Sequence, residues 1–257
     1  MRFTSETSSG GVCERQFILG EIPGVLWAPE GAAGTRPLIV MGHGGGQHKK
    51  APGIVARARR FVDECGFAVV AVDVPGHGDR PKDEEYDRIA SENRARVDAG
   101  EELAPLIASF QAQVARQTVP EWRAVLDAVQ ELDHVGAAPA GYWGVSLGCG
   151  LGVPFVAAEP RVRAAVLGLG SALASAEAAA QITVPVEFLV QWDDERVPRA
   201  QSLALFDALA SAEKTLHANR GKHAEVPAFE LDSTLRFFAR HLGRYQRRHH
   251  PTSPSGG

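Results

Sequence analysis

Apolar runs and amphipathic segments alternate along most of this chain. Residues 37–42 read Pro-Leu-Ile-Val-Met-Gly and residues 67–74 read Phe-Ala-Val-Val-Ala-Val-Asp-Val. Nearly unbroken runs of this kind are strands buried on both faces of a parallel sheet. Between them, Pro52 opens a segment, 52–65, that places Ile54, Ala58, Phe61 and Val62 on one helical face, and Gly66 closes it. Strand, helix, strand sets a right-handed parallel crossover. The alternation continues with a helix over 120–132, carrying Trp122, Val125, Leu126, Val129 and Leu132 on one face, a strand over 141–146 and a helix over 147–158. Strands follow at 162–169 and 184–192, a helix at 199–211, a last strand at 215–218 and an amphipathic helix at 226–242. Near the start, 15–19 and 25–28 are separated by Gly20, Pro23 and Gly24, which predicts an antiparallel pair at a sheet edge.

This pattern predicts an α/β protein, a doubly wound and mostly parallel sheet of about eight strands with helices on both faces. Residues 81–118 are the exception, being longer than a simple connection. They have helical composition at 82–97 and 101–114 and leave from the end of the fourth predicted strand, so they are expected over the same sheet edge as the motifs described below, lining a pocket. The short Ala-rich stretch 171–181 leaves no room for a separate cap domain at that point. One domain over 1–246 is expected, with a disordered tail over 247–257.

Bulk properties narrow the function classes. The chain has 257 residues, 44% hydrophobic and 23% charged, and a formal net charge of -4, so one core suffices and no basic field exists to hold nucleic acid. The polar segment 1–11 lacks the apolar centre of a secretory signal, and no apolar run reaches membrane-spanning length. A cytoplasmic protein without a membrane partner is therefore expected, either monomer or homodimer. Cys13, Cys65 and Cys149 are odd in number and widely spaced, which argues against a disulfide framework or a zinc site and predicts free thiols. No metal or cofactor is expected.

The chemistry points to Gly144-Val145-Ser146-Leu147-Gly148. In a G-x-S-x-G elbow a strand turns so sharply into a helix that the serine backbone is strained, and glycines on either side leave room for it. A serine hydroxyl is a weak nucleophile, so acyl transfer needs a base, a group that orients the base, and donors for an oxyanion. Candidates stand at strand ends: Asp194 after the strand at 184–192, His223 after the last strand, and His43-Gly44-Gly45-Gly46 after the strand at 37–42. The order Ser, Asp, His is the one this arrangement requires.

With these motifs in place the chain resembles an α/β-hydrolase, and within that superfamily the dienelactone hydrolase-like serine esterases. The carriers are His43-Gly44-Gly45-Gly46, Asp73-Val74-Pro75-Gly76-His77-Gly78, the elbow, Asp194-Glu195-Arg196-Val197-Pro198 and Gly221-Lys222-His223, spread from about Arg15 to Leu242. The resemblance implies the α/β-hydrolase fold with a helical insertion after the fourth strand. It implies Ser146 as nucleophile, His223 as general base and then acid, and Asp194 as the orienting carboxylate. The N–H groups of Leu147 and Gly45, with Gly46 as the near alternative, would form the oxyanion hole. The enzymes that give the family its name use cysteine where this chain has Ser146, which favours ordinary ester chemistry.

The implied activity is hydrolysis of a small or medium carboxylic ester, lactone or thioester through an acyl-enzyme. Cleavage of an amide or a carbon–carbon bond by the same triad is the alternative, and a non-catalytic small-molecule receptor a further one. Pocket walls are expected from Gln47, Arg80, Trp192, Val197 and Val226. Asp193 is expected to cap or bond its loop, His43 to fix the oxyanion loop, and His48, His77 and His217 to be structural or exposed. Lys49 and Lys50 are expected on a solvated approach to a helix, Cys149 as a small buried residue, and Arg244, Arg247 and Arg248 as a soluble end.

Overall fold

A computed structural model describes residues 1–243, with Arg94 and Val97 described for their backbone alone; the expected tail at 247–257 and Arg244, Arg247 and Arg248 lie outside the described residues. The apolar runs form the centre of one sheet. β1 (Arg2–Ser9), β2 (Val12–Leu19) and β3 (Ile22–Pro29) are an antiparallel meander. β4 (Leu38–Gly42), β5 (Ala68–Val72), β6 (Ala140–Val145), β7 (Val162–Gly168), β8 (Val186–Gln191) and β9 (Lys214–Asn219) run parallel. The strand order is β1-β2-β3-β5-β4-β6-β7-β8-β9. Because β5 lies to one side of β4 and β6 to the other, the winding direction reverses at β4, where open parallel sheets form a crevice beyond the strand ends.

The layers follow from which faces are apolar. α1 (Pro52–Cys65) presents Ile54, Ala58, Phe61 and Val62 to one side of the sheet and ends at Gly66 in the left-handed conformation, φ 69°. α7 (Phe229–Leu242) covers the same side with Leu235, Phe238 and Leu242. α3 (Leu103–Gln130), α4 (Leu147–Ala158), the short α5 (Ala176–Ala179) and α6 (Arg199–Ala208) cover the other. No helix among the described residues is long and apolar enough to cross a membrane.

Three expectations are corrected. β1 was not anticipated, because every residue in it is exposed and no apolar alternation marks it; it forms by pairing with β2. The helical insertion therefore follows the fifth strand rather than the fourth. Within it, α2 (Glu84–Asp98) is separate, but the expected break before Pro120 is absent, since α3 runs through that proline. Pro120 costs the helix one backbone hydrogen bond. A continuous buried stripe of Val114, Thr118, Trp122, Val125, Leu126 and Val129 against α4 offsets that loss, and the Thr118 hydroxyl donates to the Val114 carbonyl at 3.0 Å.

Trp122 anchors this face. It is 1% exposed and packs against Tyr142 of β6 and Phe155 of α4, with ring centroids 5.4 and 5.3 Å away. Trp122→Ala is expected to lower the free energy of unfolding by about 3–5 kcal/mol, measured as a reduced urea midpoint.

Candidate active site

Ser146 joins β6 to α4 with φ 58° and ψ -121°. It is one of two non-glycine residues with positive φ among the described residues, a conformation that persists only where packing enforces it. The neighbouring glycines permit that packing. A Cβ at Gly144 would lie 2.6 Å from the Gly148 carbonyl oxygen, and one at Gly148 would lie 2.6 Å from the Gly42 carbonyl oxygen. The Tyr142 hydroxyl closes the cluster by donating to the Gly148 carbonyl.

The predicted partners converge on this turn. Asp194 follows β8 and His223 follows β9. The His223 Nδ1 lies 2.8 Å from Asp194 Oδ2, and its Nε2 lies 2.9 Å from Ser146 Oγ. With Asp194 ionised, Nδ1–H donates to the carboxylate and Nε2 is left to accept from the serine hydroxyl. The other carboxylate oxygen, Oδ1, accepts from the N–H groups of Arg196 at 2.8 Å and Val197 at 2.9 Å. Burial pushes the Asp194 pKa up, but the bonds from His223, Val197 and Arg196 outweigh burial and hold it below the usual carboxylate range. The histidine loop is also clamped: the His223 N–H donates to Glu195 Oε2 at 3.0 Å, and Gln191 Nε2 donates to the Lys222 carbonyl at 3.1 Å. Asp193 bonds its loop to Gly221 in both directions, through its backbone N–H at 3.1 Å and its Oδ2 at 3.4 Å.

The Gly-rich loop after β4 lies beside the elbow, where a Cβ built on Gly45 would be in ordinary contact with the Leu147 Cβ at 3.9 Å. Gly44 and Gly45 line the cavity beside Ser146; Gly46, at φ 71°, does not. His43 holds this loop. It is 1% exposed, its Nδ1 lies 2.9 Å from the Gly44 carbonyl, and its Nε2 accepts from the Val74 N–H at 3.3 Å. Burial above all, with the neighbouring His77 adding repulsion, pushes its pKa down to about 4.

Lys49 departs from the solvated role expected of it. It is buried, its ammonium pairs with Asp73 and Asp79 at 2.6 Å each, and its backbone N–H donates to Asp73 Oδ1 at 2.7 Å. The pair ties the loop after β4 to the loop after β5. Burial pushes the ammonium pKa down, and the two carboxylates more than offset it. Lys50 pairs with Glu14 at 2.5 Å. His48 is exposed, His77 packs its ring 5.2 Å from that of His43, and His217 bonds Glu230 at 2.7 Å. Cys149 is buried, and burial pushes its thiol up to about 12, so it is an inert packing residue.

The cavity holds about 400 Å³ and reaches Ser146 and His223. Of the expected wall residues, Gln47 and Val226 line it. Arg80 does not; its guanidinium is committed to Glu121 at 2.6 Å and the Glu21 carbonyl at 3.0 Å. Trp192 is 45% exposed under the Arg199 guanidinium, and Val197 contributes its N–H to Asp194 rather than a wall. Nor does the 81–118 insertion line this cavity. The walls not anticipated include Ile54 and Arg57 of α1, Trp143 and Val145 of β6, and Leu169, the other positive-φ residue at 52°. Strand alternation is the signal for Trp143 and Val145, which share a face opposite Tyr142.

No protein-family model matches the sequence, and no curated protein matches it. Among solved structures, a cold-adapted esterase from an Arctic intertidal metagenomic library is 31% identical, with a TM-score of 0.78, covering 94% of this chain and 100% of its own. Acetyl xylan esterase from Paenibacillus sp. R4 is 15% identical with a TM-score of 0.69 over 94% of this chain and 88% of its own. Dienelactone hydrolase from Anabaena variabilis ATCC 29413 is 20% identical with a TM-score of 0.56 over 93% and 98%.

The buried neutral His43 makes stability depend on pH. Its folded pKa lies below its unfolded value, so the unfolded chain binds the extra proton between about pH 6.5 and about pH 4. Stability is expected to fall as pH drops through that window, by on the order of 3 kcal/mol from this group. Urea titrations of wild type and His43→Gln check it, the variant showing the shallower slope.

Proposed function

The chain belongs to the α/β-hydrolase superfamily, among the dienelactone hydrolase-like esterases, and from that premise we propose that this carboxylesterase-type hydrolase cleaves small or medium carboxylic esters through an acyl-enzyme on Ser146. The observation that carries this reading is the unbroken chain from Ser146 Oγ through His223 Nε2 and Nδ1 to Asp194 Oδ2, at 2.9 and 2.8 Å.

In the proposed reaction His223 Nε2 takes the Ser146 proton as Oγ attacks the ester carbonyl carbon. The resulting imidazolium is held by the Asp194 carboxylate, which stays ionised because it already accepts two backbone N–H groups. The carbonyl oxygen becomes an oxyanion facing the N–H groups of Leu147 and Gly45. When the intermediate collapses, the carbon–oxygen bond to the alcohol breaks and His223 returns its proton to the leaving oxygen. Water then repeats the sequence on the acyl-enzyme, giving up a proton to His223, and the acid leaves as Ser146 recovers its own. Lactones and thioesters present the same carbonyl to the same groups. Gly45 lines the cavity beside Ser146 and Gly46 does not, which supports Gly45 as the second donor.

Ser146→Ala and His223→Ala are each expected to lower kcat/KM on 4-nitrophenyl esters by roughly 10,000-fold or more, and Asp194→Asn by about 1,000- to 10,000-fold, since the asparagine leaves His223 in the wrong tautomer. Steady-state kinetics on a series from acetate to decanoate checks this. Turnover by Ser146→Ala at the wild-type rate would contradict it.

A further inference from the structure

Among the described residues, the cavity beside Ser146 and His223 is lined by two arginines, Arg57 and Arg196, and by no acidic side chain. Several other arginines of the chain are committed to carboxylates. Arg80, Arg161 and Arg60 each pair with a carboxylate, at 2.6, 2.6 and 2.8 Å. Arg57 does not. It stands near the start of α1, directly after the Gly-rich loop, and its guanidinium carbon lies 4.5 Å from the centroid of the Trp143 ring. Its Nη1 donates to the Gly53 carbonyl at 3.1 Å, and among the described residues no carboxylate pairs with it. Burial alone moves its pKa, downward, with nothing to offset it. Arg57 is half-buried, so its guanidinium keeps N–H groups free of protein partners, and the cavity is where an anion would meet them.

We propose that Arg57 is an anion-binding subsite of this cavity, and that the preferred esters carry a carboxylate on the portion lying against Trp143. The proposal rests on Ser146 being the nucleophile of the same site. The guanidinium sits over the indole, and the N–H groups not used by Gly53 are available to a planar carboxylate. The Trp143 and Ile54 side chains supply an apolar wall for the carbon chain between the two carbonyl groups. Arg196, on the loop that also bears Asp194, is 3.7 Å from Glu195 and has a side chain 60% exposed. It brings a second, more exposed guanidinium to the cavity. A rival role for Arg57, shielding the Trp143 face through its stem and cation–π contact, predicts no preference between charged and neutral esters.

The test uses two matched pairs: mono-4-nitrophenyl adipate against 4-nitrophenyl hexanoate for a carboxylate on the acyl side, and 4-acetoxybenzoate against phenyl acetate for one on the alcohol side. In wild type, one pair is expected to favour its charged member in kcat/KM. Arg57→Met lowers that charged-to-neutral ratio by about tenfold to a hundredfold, the loss expected for a hydrogen bond to a charged group. Arg57→Lys recovers part of the ratio, keeping the charge without the fork. Thermal melts establish that each variant is folded, and if the methionine variant is not, a reduced ratio in the lysine variant carries the test. Ratios that stay at the wild-type value in both pairs, with charged and neutral esters falling together, overturn the subsite and leave the shielding role. Ser146→Ala is run beside them. If it retains turnover, the nucleophile assignment fails, whereas an unchanged ratio with an inactive Ser146→Ala fails the Arg57 proposal alone.

Discussion

Ser146 holds φ 58° and ψ -121° because three stretches of backbone meet without side chains between them. Gly42 at the end of β4, Gly144 near the end of β6 and Gly148 in the first turn of α4 leave no space for a Cβ, and the Tyr142 hydroxyl fills and bonds the remaining gap. Much else follows from keeping that contact. β4 and β6 must be adjacent in the sheet, which they are, and α4 must begin at the serine. The Gly-rich loop leaving β4 is then delivered beside Leu147. The two other polar groups arrive from β8 and β9, on the same edge.

Holding charge in a dry region is the second demand. The loop after β4 is anchored through a buried Lys49–Asp73 pair and a neutral His43, so that it is set by hydrogen bonds and ion pairs rather than by secondary structure. Asp194 is satisfied by two backbone N–H groups before it meets His223, which keeps its charge available to orient the ring. Arg57 stands apart from these closed networks. Its guanidinium lines the cavity and, among the described residues, meets no carboxylate.

The parallel strands, the boundaries of α1 and α4, and the order of Ser146, Asp194 and His223 could be read directly because each is a local consequence of residue type: apolar runs, a proline start, a glycine stop, a glycine-flanked serine. β1 escaped because its stability comes from pairing with β2, and its polar residues carry no periodic signal. The unbroken α3 escaped because a local helix breaker was outweighed by a buried stripe whose partner, α4, lies far along the chain. Lys49 and Arg80 were read as solvent-facing and substrate-facing for the same reason. Their partners, Asp73, Asp79 and Glu121, are between 24 and 41 residues away, and charge pairing across such distances leaves no mark on the local pattern. Leu169 has no sequence signal for its positive φ.

A covalent probe tests, without reference to any substrate, whether Ser146 is an activated nucleophile. A 4-nitrophenyl alkylphosphonate, incubated with the protein and followed by intact-mass and peptide mass spectrometry, is expected to add one phosphonyl group per chain, on the peptide containing Ser146, at a rate that collapses in His223→Ala. Modification elsewhere, or equal labelling of Ser146→Ala, would contradict the claim that this elbow carries the chemistry.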